Sequence, residues 1–297
     1  MSRVAAYDIG TNTVRLLVAE AGEPGRPVEI LRINRVVGLG EGVDRNRRFL
    51  DAAIERAVAG WGELAGLAGS VEAADAVATS ATRDAENRDA FLDRAEQVLG
   101  VRPRVISGEE EARLSFLGAT GGGAKSPVSV IDVGGGSTEV VVGTDQPDHA
   151  VSLQIGSIRL TERVLPDRPT DQVDAALAWA AERFSDVAFT VPAAAIGVAG
   201  TFTALAAVDL ELETYADGAV HGHDLTSAAM ERLVTSLAAM TIEETAAIPS
   251  LPASRAPMLL GGAVTVLAAM RHLDLSTIEV RVTDILDGVA DELLMTG

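Results

Sequence analysis

The sequence contains no cysteine, and Lys125 is the only lysine among its 24 basic residues. The first absence excludes disulfides and thiolate metal centres and says nothing of compartment. The second, together with heavy alanine use, reads as the coding bias of a GC-rich genome. The N-terminus MSRVAAYDIG has no basic segment leading into a long apolar stretch, so no signal peptide is expected. No window reads as apolar for long enough to cross a bilayer, so no membrane partner is expected. With no export signal, the expected location is the cytoplasm. Low-complexity tracts are absent beyond the alanine richness. Positive charge is also scarce: 43 acidic residues against 24 basic give a net charge of −19. Such a surface repels DNA, RNA and anionic membranes, so no DNA partner is expected. It also repels any other polyanion at long range. Any polyanion site must therefore be local, built from backbone N–H groups, a metal ion and a few arginines.

What is present is an ordinary globular composition, 47% hydrophobic and 23% charged over 297 residues. That length suffices for one large domain or two medium ones with real cores. Apolar runs and turn residues predict a hairpin from Val4–Ile9 and Thr13–Ala19 around Gly10-Thr11-Asn12. A strand is predicted over Val28–Val37, a helix over Phe49–Leu67, and a short strand over Ala74–Ser80. A helix over Glu86–Leu99, a strand over Pro103–Ile106 and a helix over Glu109–Leu117 follow. Gly121 to Pro127 is the clearest break, dividing the chain into residues 1–124 and 125–297. A second hairpin, Val128–Val133 with Ser137–Gly143, opens the second part. Helices are then predicted over Thr170–Phe184, Thr201–Val208, Ser227–Met240, Arg255–Leu273 and Asp284–Met295, with strands at Ala193–Val198 and Ile278–Val282. The mixture is an α/β chain.

An internal repeat organises the rest. Tyr7 to Val18 and Ile131 to Val142 each end a strand with Asp, a β-branched residue and Gly. Each reaches a hydroxyl residue five positions after the Asp and resumes as an apolar strand, so the chain reads as a duplicated domain. The chemistry of this unit is specific. Gly10 in one copy and Gly134, Gly135 and Gly136 in the other let the backbone approach an anion closely. Successive turn N–H groups form a nest for phosphate oxygens. Thr11, Thr13, Ser137 and Thr138 add hydroxyl donors, and Asn12 a further polar group. A strand-end Asp, Asp8 or Asp132, can orient a hydrated Mg²⁺ that also takes substrate phosphate. Glu139 lies two residues after Ser137 on the returning strand, so both share its face and turn toward Asp132. Asp132 and Glu139 are the expected metal pair, with Asp8 the equivalent acid of the first half.

At these residues the chain resembles the actin, Hsp70 and sugar-kinase superfamily, and within it the Ppx/GppA family of exopolyphosphatases and guanosine pentaphosphate phosphohydrolases. The matching stretches are AAYDIGTNTVRLLVAE from Ala5, GLGEGVD from Gly38, ATSATRDAENRDAF from Ala78, ISGEEEARLSFLGA from Ile106, VIDVGGGSTEVVVG from Val130 and IGVAGTFTALAA from Ile196. Their order and spacing follow the family core over nearly the whole chain. The resemblance implies two ribonuclease-H-like, actin-like domains with a cleft between them and a phosphate-binding hairpin from each facing into it. It implies that Glu111, directly before Ala112-Arg113, is the general base, and that Arg83 reaches the substrate phosphate through its guanidinium fork. Larger relatives carry further C-terminal helical domains, whereas this sequence ends after the two-domain core. It also has Thr283 to Gly288, TDILDG, where many relatives have a Gly-Leu-Arg motif.

Three positions admit two readings each. Arg15 occupies the repeat position held by Glu139 in the second copy, as a phosphate contact or as a cross-cleft ion pair with an acid. Gly200 and Thr201, before a helix, bind a further phosphate or pack a strand-to-helix turn through small residues. His221-Gly-His223 reads as a surface loop in preference to a metal site. Glu109 and Glu110 suit an acidic first turn that complements the helix dipole.

The expected activity is Mg²⁺-assisted in-line attack of water on the terminal phosphate of inorganic polyphosphate, with short chains preferred. Guanosine pentaphosphate, a stringent-response nucleotide, is the rival substrate. An ATP-dependent kinase of the same fold, or a non-catalytic sensor of polyphosphate or nucleotide, are the readings from other classes. A monovalent cation and a homodimer are compatible with the sequence.

Overall fold

Val4, Ala5, Ala6, Tyr7 and Ile9 leave the first strand no polar face, which sets it inside a sheet rather than at an edge. The computed structural model, which describes residues 2–23, 26–166 and 172–296, shows this strand as β1 (Arg3–Ile9), buried on both faces. It turns into β2 (Thr13–Glu23) and then β3 (Arg26–Val36), an antiparallel meander. Next come α1 (Val43–Asn46), α2 (Asp51–Ala68), β4 (Ala73–Ala78), α3 (Ser80–Asp84), α4 (Arg88–Leu99), β5 (Arg104–Val105) and α5 (Gly108–Thr120). β4 and β5 run parallel to β1, giving the order β3-β2-β1-β4-β5.

Alternation along β1 sorts its side chains between two helical layers. Ala5, Tyr7 and Ile9 join Leu16, Trp61 of α2 and Phe91 of α4 on one face. Val4 and Ala6 join Leu17, Val77 and Leu114 of α5 on the other. Asp8 falls in phase with Val4 and Ala6, and its cross-strand partner Arg15 in phase with Leu17.

Lys125–Val282 form a second compact unit on the same plan. β6 (Val128–Val133), β7 (Thr138–Gly143) and β8 (Pro147–Leu153) make its meander. They are followed by α6 (Ser157–Val164), α7 (Val173–Phe184), β9 (Ala195–Val198), α8 (Ala199–Asp209), α9 (Asp217–Val220), β10 (Asp224–Thr226), α10 (Ser227–Ala239), α11 (Ile242–Ala246), α12 (Ala256–His272) and β11 (Thr277–Val280). The sheet order is β10-β11-β9-β6-β7-β8, with β9 parallel to both β6 and β11. Thr170, the expected start of the helix ending at Phe184, lies outside the described residues.

Two expectations are corrected. The segment Ala253–His272 is long and apolar enough to cross a membrane, with hydropathy 1.3, yet 72% of that window is buried in the unit, as a core helix is. The last helix, α13 (Ile285–Thr296), belongs to the first unit, which comprises Met1–Ala124 with Thr283–Gly297, and not to the second as residues 125–297 required. The reason is its apolar stripe: Ile285, Leu286, Val289 and Ala290 are buried among Val4, Ala6, Leu17 and Leu114. Burying each of the larger side chains stabilises by about 1.5–3 kcal/mol, against about 1 kcal/mol net for a single hydrogen bond. The docking of α13 is therefore set by its apolar side chains rather than by its polar contacts.

Candidate functional site

In each sheet the parallel strands end side by side, so the residues that follow them collect at one edge. In the first unit Thr79 N–H donates to the Ile9 carbonyl (3.2 Å) and Ile106 N–H to that of Ala78 (3.1 Å). The Gly10–Asn12 turn, α3 with Arg83, and α5 with Glu111 follow β1, β4 and β5 respectively. The turn is fixed through its carbonyls: Asn12 O accepts from Val37 and Gly38 N–H (both 2.9 Å), and Thr11 O from Gly40 N–H (2.6 Å). Gly10 N–H closes the hairpin on Thr13 O (2.9 Å).

α5 starts at Ser107, whose hydroxyl accepts from Glu110 N–H (3.1 Å), a cap worth about 1 kcal/mol. This start sends the three glutamates in different directions. Glu109 is exposed, Glu110 pairs with Arg113 (2.8 Å), and Glu111 is buried at 8% exposure. Arg83 Nη1 donates to Glu111 Oε2 (2.7 Å) and to the Ile106 carbonyl (3.0 Å). Its Nη2 is buried without a hydrogen-bond partner among the described residues, as are Ser80 Oγ and Thr82 Oγ1 on α3. Those two hydroxyls were not singled out from the sequence, although TSATR places both beside Arg83.

Arg15 resolves as an ion pair, and within its own unit. Its Nε donates to Asp8 Oδ2 (2.8 Å), Nη2 lies 2.7 Å from the same oxygen, and Nη1 donates to Asp284. Its charge faces two carboxylates of the same unit, the ion-pair arrangement. Burial pushes the Asp8 carboxyl above its ordinary range, while Arg15 pulls it down and Asp284 pushes it up. Arg15 is held firmly protonated by the two acids in spite of burial. Asp8 Oδ1 and Asn12 Oδ1 are buried without hydrogen-bond partners among the described residues.

In the second unit the glycine turn is held from below by the start of α6. Gly134 O accepts from Ser157 N–H (2.9 Å), Gly135 O from Ile158 and Arg159 N–H (2.9 and 3.1 Å), and Gly136 O from Arg159 Nε (2.6 Å). Gly156 makes this approach possible, since a Cβ there would lie 2.6 Å from the Gly135 carbonyl. With the carbonyls engaged, the N–H groups of Gly135, Gly136 and Ser137 make no backbone hydrogen bond among the described residues. Thr138 is fully buried, and its hydroxyl donates to Ile155 O (2.7 Å).

Asp132 and Glu139 are direct cross-strand partners, 7% and 1% exposed, and therefore share one face of the sheet. Ser152 Oγ donates to Glu139 Oε1 (2.7 Å). Among the described residues no group of three His, Cys, Asp or Glu could hold a metal. Two facing carboxylates beside a glycine turn nevertheless fit a hard cation that keeps waters and takes oxygens of a bound ligand. Asp8 fits less well, because Arg15 already balances its charge.

At the end of β9, Ala199 holds a left-handed φ of 70°, a conformation that costs a non-glycine residue about 1–3 kcal/mol. The Arg255 guanidinium lies against Gly200, where a Cβ would meet Nη2 at 2.2 Å, and Thr201 packs on Gly262 of α12. His221 and His223 are engaged elsewhere: Nδ1 of His221 faces Val282 N–H (3.4 Å) and Nε2 of His223 meets Asp209 (2.9 Å).

The model of the Ppx/GppA phosphatase family matches residues 17–296. Exopolyphosphatase 2 of Mycobacterium tuberculosis is 38% identical over 98% of this chain and 98% of its own. The crystal structure of an exopolyphosphatase-like protein matches with a TM-score of 0.91 at 36% identity, covering 98% of this chain and 97% of its own. The Ppx/GppA family member of Aquifex aeolicus matches with a TM-score of 0.82 at 30% identity, over 99% and 98%. The two mixed sheets are accordingly those of the actin-like fold.

Proposed function

Because the chain belongs to the Ppx/GppA phosphatase family, we propose that it is an exopolyphosphatase, releasing the terminal phosphate of inorganic polyphosphate with short chains preferred. The observation that carries the reading is the match, over 98% of both chains, to a protein named an exopolyphosphatase. The geometry within each unit supplies the chemistry.

Water attacks the terminal phosphorus in line with the bridging oxygen. A P–O bond forms to the water oxygen, the bond to the bridging oxygen breaks, and the shortened chain leaves with the electron pair. Glu111 orients the water and takes its proton. Arg83 holds Glu111 through Nη1 and has Nη2 to give to a phosphate oxygen. The turn N–H groups with Ser137 bind phosphate oxygens in the second unit, and Thr11, Asn12 and Thr13 do so in the first. Such catalysis is positioning and electrostatics rather than covalent chemistry. Asp132 and Glu139 would hold the divalent ion of this reading, Mg²⁺, which would supply charge neutralisation at the phosphoryl oxygens.

The test is phosphate release by the purified protein from short and long polyphosphate and from guanosine pentaphosphate, with Mg²⁺ and with a chelator. Fastest release from short polyphosphate, abolished by the chelator, is expected. Preference for guanosine pentaphosphate, or no release from either substrate, contradicts the reading.

A further inference from the structure

Thr283 to Gly288 takes no part in the proposed reaction, yet it ties together the two elements of the first unit that do. A guanidinium fork ordinarily meets both oxygens of a carboxylate. Arg15 instead sets Nε and Nη2 on one oxygen of Asp8, at 2.8 and 2.7 Å, because Nη1 is turned to Asp284. Asp8 Oδ1 is left buried with no hydrogen-bond partner among the described residues.

Asp284 is itself held on three sides. Its Oδ1 accepts from Leu286 N–H (3.1 Å), and its own N–H donates to Asp287 Oδ2 (2.8 Å). Asp287 is anchored in turn by Arg32 Nη2 (2.8 Å). The Asp284 carbonyl lies against Gly118 of α5, where a Cβ would come within 1.8 Å. The helix that carries Glu111 and the hairpin that carries Asp8 are thus seated on one turn.

We propose that Asp284 is a positioning residue for the hydrolysis: by holding Arg15, it keeps the guanidinium on one oxygen of Asp8 and leaves the other to accept a hydrogen bond from water at the reacting phosphate. This rests on the reading of the protein as a polyphosphate hydrolase, and adds Asp8 to the residues that serve it. Without the Asp284 charge, Arg15 is released to fork across both Asp8 oxygens.

The experiment compares Asp284→Asn, Asp287→Asn, Arg15→Gln and Asp284→Asn with Arg15→Gln, in the full chain, by phosphate release from polyphosphate and by thermal melting. Asp284→Asn is expected to lower kcat by about tenfold or more with KM within about twofold. Asp287→Asn disturbs the same turn without touching Arg15 and is expected to keep kcat within about twofold, whatever its Tm. The double variant is expected to be no slower than Arg15→Gln alone, since Asp284 acts through Arg15. A wild-type kcat in Asp284→Asn overturns the proposal, as do additive losses or a kcat that tracks Tm across both aspartate variants. Should Asp284→Asn not fold, Asp284→Glu, which moves the charge by one methylene, carries the test: a loss in kcat alone is expected, and an unchanged kcat overturns the proposal. Glu111→Ala is measured alongside. If it retains wild-type rate, the reading of the reaction fails; if it is inactive while Asp284→Asn is unimpaired, only the positioning role fails.

Discussion

Asp132 stands directly opposite Glu139 in the β6–β7 ladder, at the register that Asp8 and Arg15 occupy in β1 and β2. The duplicated hairpin has therefore taken two electrostatic forms. The first copy balances its strand-end acid with a guanidinium on the neighbouring strand. The second sets two acids on one face, a destabilising arrangement in a sheet that a bound divalent cation would offset.

Metal binding follows from that difference. Mg²⁺ is expected to raise the Tm of the wild-type protein, since a ligand at 100 times its Kd stabilises by about 2.7 kcal/mol. Asp132→Asn and Glu139→Gln are each expected to abolish the rise, whereas Asp8→Asn leaves most of it. Melting curves in chelator and in millimolar Mg²⁺ check this; an undiminished Mg²⁺ response in Asp132→Asn contradicts the assignment.

Gly156 lies outside the Gly134–Gly136 turn but shapes it. A Cβ at 2.6 Å from the Gly135 carbonyl must displace the turn, and overpacking of this kind costs about 1–3 kcal/mol. Gly156→Ala is expected to raise KM for polyphosphate more than it lowers Tm. Steady-state kinetics beside a thermal melt decide it, and unchanged KM contradicts the role given to the turn.

Asp287 makes stability depend on pH. Burial, with the Asp284 charge adding and Arg32 opposing, pushes its carboxyl from an ordinary 3.8 up to about 6. Between those values the folded protein keeps a proton that the unfolded chain has lost, so this contribution is full below about 3.8 and lost as pH rises through about 6. Asp287→Asn cannot titrate. The stability of wild type minus that of the variant is expected to fall between pH 4.5 and pH 7, as read from urea unfolding; a constant difference contradicts the shift.

The hairpins at Gly10 and Gly135 were legible in the sequence because strand alternation and turn glycines are local signals. The rotation of Glu109, Glu110 and Glu111 around α5 was legible in part: the run shows that one residue faces inward, and the Ser107 cap fixes which. Arg15 kept two readings because its second partner, Asp284, is 269 residues away, beyond any local pattern. β8 and α6 were not foreseen. The first is an edge strand with exposed Asp148 and His149, and the second is an eight-residue helix, too short for its periodicity to stand out. The return of α13 to the first unit was hidden for a related reason: its apolar stripe says that it is covered, not by which sheet.

The measurement that bears most directly on the account is the turnover of Glu111→Ala and Glu111→Gln on polyphosphate at saturating Mg²⁺, with substrate affinity measured separately by calorimetry. The expected result is a fall in kcat of about 100-fold or more, the usual range for a lost general base, with affinity for polyphosphate retained. Near wild-type turnover in Glu111→Ala would contradict it.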